Sequence, residues 1–206
     1  MFNILYDLLP EEWEEYSVNT WFQVGIQIYV VMEDEEINEY EKNDILIALL
    51  FGNEDGTIRE HPQRNDLKEC LEWFLNGWNY DNPAKKHSSQ RVMDFTKDQW
   101  RIYSDFRAIY GINLNESDMH WWEFSALLWN MPYEQSQFMQ VVNLRKKEID
   151  PKLPAKEKQR LQEAKQIYAI SQPPKEYTKE EESMIDEYDR MMEEARKRKK
   201  ELSNGI

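Results

Sequence analysis

Apolar residues recur at helical spacing along most of the chain. Residues 38–51 carry such a pattern and are followed by Gly52, which is placed to close a helix. A second pattern lies between Pro62, a residue suited to a first helical turn, and Gly77. The two apolar stripes contain Ile45, Ala48 and Leu49 in the first segment and Leu67, Cys70, Leu71, Phe74 and Leu75 in the second. They predict two helices that each turn one face toward a core.

The first 32 residues are harder to assign. Residues 1–17 suggest a short extended segment, and residues 20–32 fit two structures. The apolar residues of the second stretch alternate as in a half-buried strand, whereas Asn19 and Thr20 offer a helix N-cap. The alternating residues are Phe22, Val24, Ile26, Ile28 and Val30. This pattern alone favours a strand.

Two more helices are predicted between Asp94 and Asn130. Asp94 precedes a helix that Gly111 ends, and Ser117 is a suitable N-cap for a helix over residues 118–130. The second of these is apolar nearly all the way round and contains Met119, Trp121, Trp122, Phe124, Ala126, Leu127, Leu128 and Trp129. Such a helix must be covered on most sides. We therefore expect its adjacent tryptophans in the core, which is favoured over their use as anchors for a partner.

The C-terminal region has a different character. A helix over residues 155–169 is followed by a Ser-Gln-Pro-Pro linker and by a capping box of Thr178 and Glu181. The charged helix predicted after the capping box has one apolar face, which carries Met184, Tyr188, Met191 and Met192. We expect a helical domain over residues 1–172 and a linker with this amphipathic helix over residues 173–206. The apolar face either packs on the domain, stays solvated, or binds a partner or a second copy, and its four residues are candidate partner-binding residues.

Composition indicates an all-α fold. Six Gly and eight Pro are few for a sandwich or barrel built from many tight turns. Cys70 is the single cysteine, so no intramolecular disulfide can form. No apolar run reaches the length of a membrane span, and the first residues lack the features of a signal peptide. We expect the protein to remain in the cytoplasm of the cell that makes it.

Charge argues against nucleic acid as a partner. The net charge is −14, and between Glu11 and Glu60 fourteen acidic residues stand against only Lys42 and Arg59. Nucleic-acid binding normally requires a basic face that releases counterions from phosphate. We expect no nucleic-acid partner and no membrane partner.

The sequence offers little for catalysis. The three histidines, His61, His87 and His120, and the one cysteine are too scattered for a zinc site. His120 could act as a general base, but no nucleophile or orienting residue is spaced beside it, and a structural role is favoured. Glycine-rich phosphate loops are absent, and the paired carboxylates resemble solvated surfaces. We expect no catalytic residue, no metal, no cofactor and no enzymatic activity.

Residues 94–145 resemble the phage family known as gene product fifteen. The residues that carry the resemblance, in order, are Asp94, Phe95, Asp98, Ile102, Tyr103, Phe106, Tyr110, Gly111, Ile112, His120, Trp121, Trp122, Glu123, Phe124, Leu127, Leu128 and Arg145. The N-terminal region adds Leu5, Tyr6, Leu9, Pro10, Asn19, Thr20 and Phe22. Trp21 and Gln23 depart from the family pattern, so a charge pair at those positions does not carry over. The resemblance implies that residues 20–32 are helical.

This resemblance also implies a function. The family is described as a tail assembly chaperone of long-tailed phages of Gram-positive hosts, which holds the tape measure protein soluble in the host cell cytoplasm and is absent from the mature virion. A second tail assembly chaperone is a further expected partner, and a homo-oligomer is possible. The alternative is a minor structural component of the tail. The motif residues expected mainly in the core are Tyr110, Gly111, His120, Trp121, Trp122, Phe124, Leu127 and Leu128.

Overall fold

The computed structural model describes residues 2–79 and 91–170. Within them lie seven α-helices and one two-stranded antiparallel hairpin, which confirms the predicted helical fold class. The elements are β1 (Glu12–Trp13), β2 (Tyr16–Ser17), α1 (Phe22–Glu33), α2 (Glu39–Phe51), α3 (Arg64–Asn76), α4 (Phe95–Asp105), α5 (Trp121–Trp129), α6 (Gln137–Lys146) and α7 (Ala155–Ile167). The predicted amphipathic helix after residue 173 lies outside the described residues.

The strand predicted from the alternation over residues 20–32 is wrong, because this segment forms α1, as the family resemblance implies. Its buried residues are Phe22, Gly25 and Ile28, which recur at helical spacing. The expected N-cap is also wrong. The side chain of Asn19 donates instead to the carbonyls of Leu49 and Gly52, at 3.0 and 2.8 Å, and so attaches α2 to the start of α1.

The helices α2 and α3 form where the apolar stripes predict them. Asn38 and Glu41 form a capping box at the start of α2. Gly52 ends α2 with extended backbone instead of the left-handed conformation usual for a terminal glycine. Its glycine identity has a steric reason, because a Cβ there would lie 2.3 Å from the Ala48 carbonyl oxygen. Pro62 is buried two residues before α3 begins.

The helix α5 begins later than predicted. It starts at Trp121, and its N-cap is His120, not Ser117. The chain before it is extended and pairs with the residues before α1: the backbone N–H of Phe22 donates to Met119, and that of Trp121 donates to Thr20. The two helices therefore start side by side, joined by backbone hydrogen bonds that no local sequence pattern contains.

The core is built around α5. The Phe124 ring is fully buried and stacks between Phe22 of α1 and Phe106, with centroids 4.9 and 5.0 Å apart. Phe106 begins a π-helical turn that continues α4 and ends at Gly111, whose φ of 71° is left-handed. Aromatic side chains from α1 and from the turn after α4 thus pack against one ring of α5.

Candidate partner-binding surfaces

The two motif tryptophans lie inside the protein. Trp121 and Trp122 are 3% and 5% exposed. Their indole N–H groups donate to the carbonyls of Leu75 and Phe74 at the end of α3, at 3.4 and 2.8 Å. Buried indole N–H groups usually have such a partner, because an unpaired buried donor is costly. Both rings are therefore part of the scaffold that joins α5 to α3.

His120 is a capping residue with both ring nitrogens engaged. Its Nδ1 accepts from the backbone N–H of Trp122, and its Nε2 donates to the Pro10 carbonyl, each at 3.0 Å. This pattern requires the neutral ring with its proton on Nε2. Burial lowers the pKa of His120, while the hydrogen bond to Pro10 and the charge of Glu11 partly oppose that shift. The motif histidine thus attaches the N-terminal segment to the start of α5.

The two ends of the motif meet in a buried ion pair. The guanidinium of Arg145 in α6 donates to both carboxylate oxygens of Asp98 in α4, at 2.6 and 2.9 Å. Asp98 is fully buried and Arg145 is 6% exposed. Arg145 also donates to the carbonyls of Val92 and Tyr168. Sequence reasoning did not pair these residues, although both stand in the motif, because the pair joins positions 47 residues apart.

The remaining motif residues link α4 to α5. The Tyr110 hydroxyl donates to the Leu127 carbonyl at 2.9 Å, and Gly111 ends the π-helical turn. Leu128 is buried and Leu127 is half-buried. Of the eight motif residues singled out from the sequence, Trp121, Trp122, Phe124 and Leu128 are buried, Tyr110, His120 and Leu127 are half-buried, and Gly111 is exposed. The candidate partner-binding residues Met184, Tyr188, Met191 and Met192 lie outside the described residues.

An open groove runs between α1 and α4 on the surface, and we name it the α1–α4 groove. Its volume is about 580 Å³, and its walls include Ile26, Val30, Gln99, Trp100 and Tyr103. Trp100 is 74% exposed and Val30 is 44% exposed. No charged side chain is among the described residues that line it. The sequence analysis did not find this groove; the signal that could have indicated it is Trp100, a tryptophan on the solvent side of an amphipathic helix.

Two other kinds of site are not found in residues 2–79 and 91–170. No helix there is long and apolar enough to cross a membrane. No group of His, Cys, Asp or Glu side chains in the same residues is arranged to hold a metal ion. Cys70 is buried on α3, and that burial raises the pKa of its thiol to about 12.

The fold can be compared with known proteins. The model of the family described as Bacteriophage Gp15 protein matches residues 5–170. Neither the curated proteins nor the solved structures gave a match. The matched region contains every described helix and both ends of the buried Asp98–Arg145 pair. The chain therefore belongs to the bacteriophage Gp15 protein family.

Proposed function

We propose that this phage protein is a tail assembly chaperone, which binds the tape measure protein and keeps it soluble in the host cell cytoplasm while the tail is built. It acts by binding and catalyses no reaction, and it is absent from the mature virion. A second tail assembly chaperone is its further partner. The family resemblance motivates this role, and one surface of the molecule supports it.

The supporting observation is the uncharged α1–α4 groove. About a third of the chain's residues are charged, and its net charge is −14, yet the described groove walls carry no charge. An apolar helix of a partner can enter such a groove without stripping water from an ionised group, which would be costly. The net charge then keeps the loaded chaperone soluble.

Trp100 is the side chain best placed to anchor that helix. Most of its surface is exposed and free to be covered by a partner, and its ring packs edge-on against Tyr103 with centroids 6.3 Å apart. Interface hot spots, among which tryptophan is enriched, cost about 2 kcal/mol or more when truncated. Substituting Trp100 is therefore the most direct test of the proposed role.

The use of His120 in the scaffold supports binding over catalysis. A general base must offer an unoccupied lone pair to its substrate. The Nδ1 lone pair of His120 accepts the N–H of Trp122, and its Nε2 proton is directed to Pro10. Catalysis through this ring would require the cap of α5 to open.

Co-expression with the tape measure protein tests the proposal. We expect the native chain to raise the soluble fraction of the tape measure protein and to co-purify with it. Trp100→Gln should weaken co-purification at least about tenfold, as the loss of a hot spot of about 2 kcal/mol implies. Tyr133→Gln is the matched control, because Tyr133 is an exposed aromatic residue outside the groove.

Two outcomes would overturn this role. If the tape measure protein is equally insoluble with and without the native chain and nothing co-purifies, the chain is not its chaperone. If mass spectrometry finds the protein at stoichiometric levels in purified virions, it is a minor structural component of the tail.

A further inference from the structure

The N-terminal segment holds large apolar side chains away from the core. Leu5 is 87% exposed and Leu8 is 94% exposed. The segment is nonetheless attached to the domain: the Phe2 ring packs edge-on against Trp122, and the Pro10 carbonyl accepts from His120. Side chains fixed in this position and left uncovered are typical of an interaction surface.

A second cavity adjoins Leu8, and we name it the acidic cleft. Its volume is about 900 Å³, and Leu8 and Trp21 form apolar parts of its wall. Trp21 is 56% exposed. The wall also contains the carboxylates of Glu11, Glu12, Glu14, Asp118 and Glu123. No lysine or arginine is among the described residues that line it.

The carboxylates of the cleft are available to a partner. None of the five forms an ion pair with a lysine or arginine in the described part of the chain. They surround the cleft without converging on one point, since no described cluster of acidic residues is arranged to hold a metal ion. Spaced negative charges around exposed apolar side chains match an extended ligand better than a single cation.

We propose that the acidic cleft docks a basic, amphipathic segment of a partner protein. Lysine or arginine side chains of that segment pair with the cleft carboxylates, and its apolar residues cover Leu8 and Trp21. The Trp21 ring also offers a face to a cationic group. Charge decides this occupant, because an acidic peptide or a phosphate backbone would be repelled from five carboxylates that pair with no described lysine or arginine.

This surface differs from the α1–α4 groove in chemistry and does not depend on the chaperone role. The groove is lined by uncharged residues, mostly of α1 and α4, and the cleft by the N-terminal segment and the residues around the starts of α1 and α5. The two cavities share no lining residue. The cleft can therefore bind its partner whether or not the groove binds a tape measure helix.

Peptide binding to the full-length protein tests the inference. The probe is a labelled, amidated peptide of leucine and lysine, about four helical turns long, with the lysines on one face. A leucine–glutamate peptide of the same pattern and a glycine–lysine peptide of the same charge are the comparison ligands. By fluorescence anisotropy, we expect the leucine–lysine peptide to bind at least about tenfold more tightly than either, because only it offers both charge and apolar surface.

Two sets of variants locate the binding. Substituting Glu11, Glu12 and Glu14 together by Gln should lower the affinity for the leucine–lysine peptide at least about tenfold. It should also reduce the salt dependence of the binding. The matched control replaces three exposed carboxylates elsewhere by Gln, with the same change in net charge; these are Glu35, Glu36 and Glu39. Leu8→Ser changes no charge and removes no buried contact, so it tests the apolar part separately.

The inference fails under any of three results. The control triple variant could weaken binding as much as the cleft variant, which would mean attraction to the net charge alone. The glycine–lysine peptide could bind as tightly as the leucine–lysine peptide, or Leu8→Ser could leave binding unchanged. Either result would show that no apolar docking occurs. Urea unfolding of each variant, including Leu8→Ser, distinguishes a loss of binding from a folding defect.

Discussion

At the scale of single residues, two close approaches fix the position of the adjacent tryptophans. A Cβ at Gly25 would lie 2.1 Å from Trp121 Cε3, and a Cβ at Gly77 would lie 2.1 Å from Trp122 Cζ2. Each indole therefore occupies the space that any other side chain would need. The glycine in the middle of α1, which costs helix stability, is explained by the ring that covers it.

Gly25→Ala is expected to destabilise the protein by about 1–3 kcal/mol, the usual cost of overpacking a core. The alanine would favour the helix by about 1 kcal/mol, so a net loss means that the steric cost dominates. Trp121 cannot move aside easily, because Phe74 stacks on its ring with centroids 6.0 Å apart. Urea unfolding would measure the change. The control is Gln27→Ala at an exposed position of α1, where a shift within about 0.5 kcal/mol is expected. A Gly25→Ala protein as stable as the native one would contradict this packing.

Among the secondary-structure elements, α1 was wrongly predicted as a strand, and its two apolar faces explain why. Gly25 and Ile28 are buried on one face, while Phe22, Ile26 and Val30, spaced four residues apart, line the α1–α4 groove on another. A helix that is apolar on both a core face and a groove face acquires an accidental alternation, so the pattern resembled that of a strand. By contrast, α3 is apolar on one face only, and the sequence predicted its stripe.

The functional surfaces were less predictable than the helices. Candidate groove and cleft residues come together from segments far apart in sequence, such as Trp21 and Asp118 in the acidic cleft. Their juxtaposition depends on the backbone pairing of Trp21 with His120, which local periodicity cannot reveal. The motif residues were recognised from their order, but their contacts, such as Asp98 with Arg145, needed the fold.

The His120 cap predicts that stability falls in mild acid. The folded state lowers the pKa of His120 below its ordinary value of 6.5, chiefly through burial. The unfolded chain therefore binds more protons, and the stabilising contribution is complete above pH 6.5 and is lost as pH falls through the folded pKa. Protonation of Nδ1 also removes the acceptor for the Trp122 N–H. Urea midpoints at pH about 7.5 and about 5.5 would measure this loss.

Replacing His120 by a capping residue that does not titrate distinguishes its effect from the effects of other titrating groups. His120→Asn retains a capping oxygen but has no proton to gain in this range, so the difference between the two urea midpoints should shrink. His61→Asn is the matched control, since His61 is exposed and should leave the difference unchanged. An undiminished acid sensitivity in His120→Asn would assign the effect to other residues.

Over the described part of the molecule, the helices α1 to α6 share one core, and contacts between distant residues attach the segments at its two ends. The N-terminal segment is attached through His120, and the residues after α7 are attached through Arg145, whose Nε donates to the Tyr168 carbonyl at 2.7 Å. The helix α7 itself contains no fully buried residue. Its contribution to the domain therefore depends largely on these polar contacts at its C-terminal end.

This arrangement predicts where the chain can be shortened. A protein ending after residue 174 keeps the carbonyl of Tyr168 and every described core residue, so its melting temperature should change by less than about 2 °C. A protein ending after residue 154 lacks α7 and that carbonyl, and it should melt clearly lower because the Arg145 guanidinium loses a partner in a largely buried site. Thermal unfolding followed by circular dichroism compares the two. A large drop in melting temperature for the protein ending at residue 174 would mean that residues 175–206 stabilise the domain.

If only the shorter protein is destabilised, the 174-residue form can be tested for binding to the tape measure protein. Binding by this form would assign the site to the described surfaces, and loss of binding would assign it to the region that contains Met184, Tyr188, Met191 and Met192.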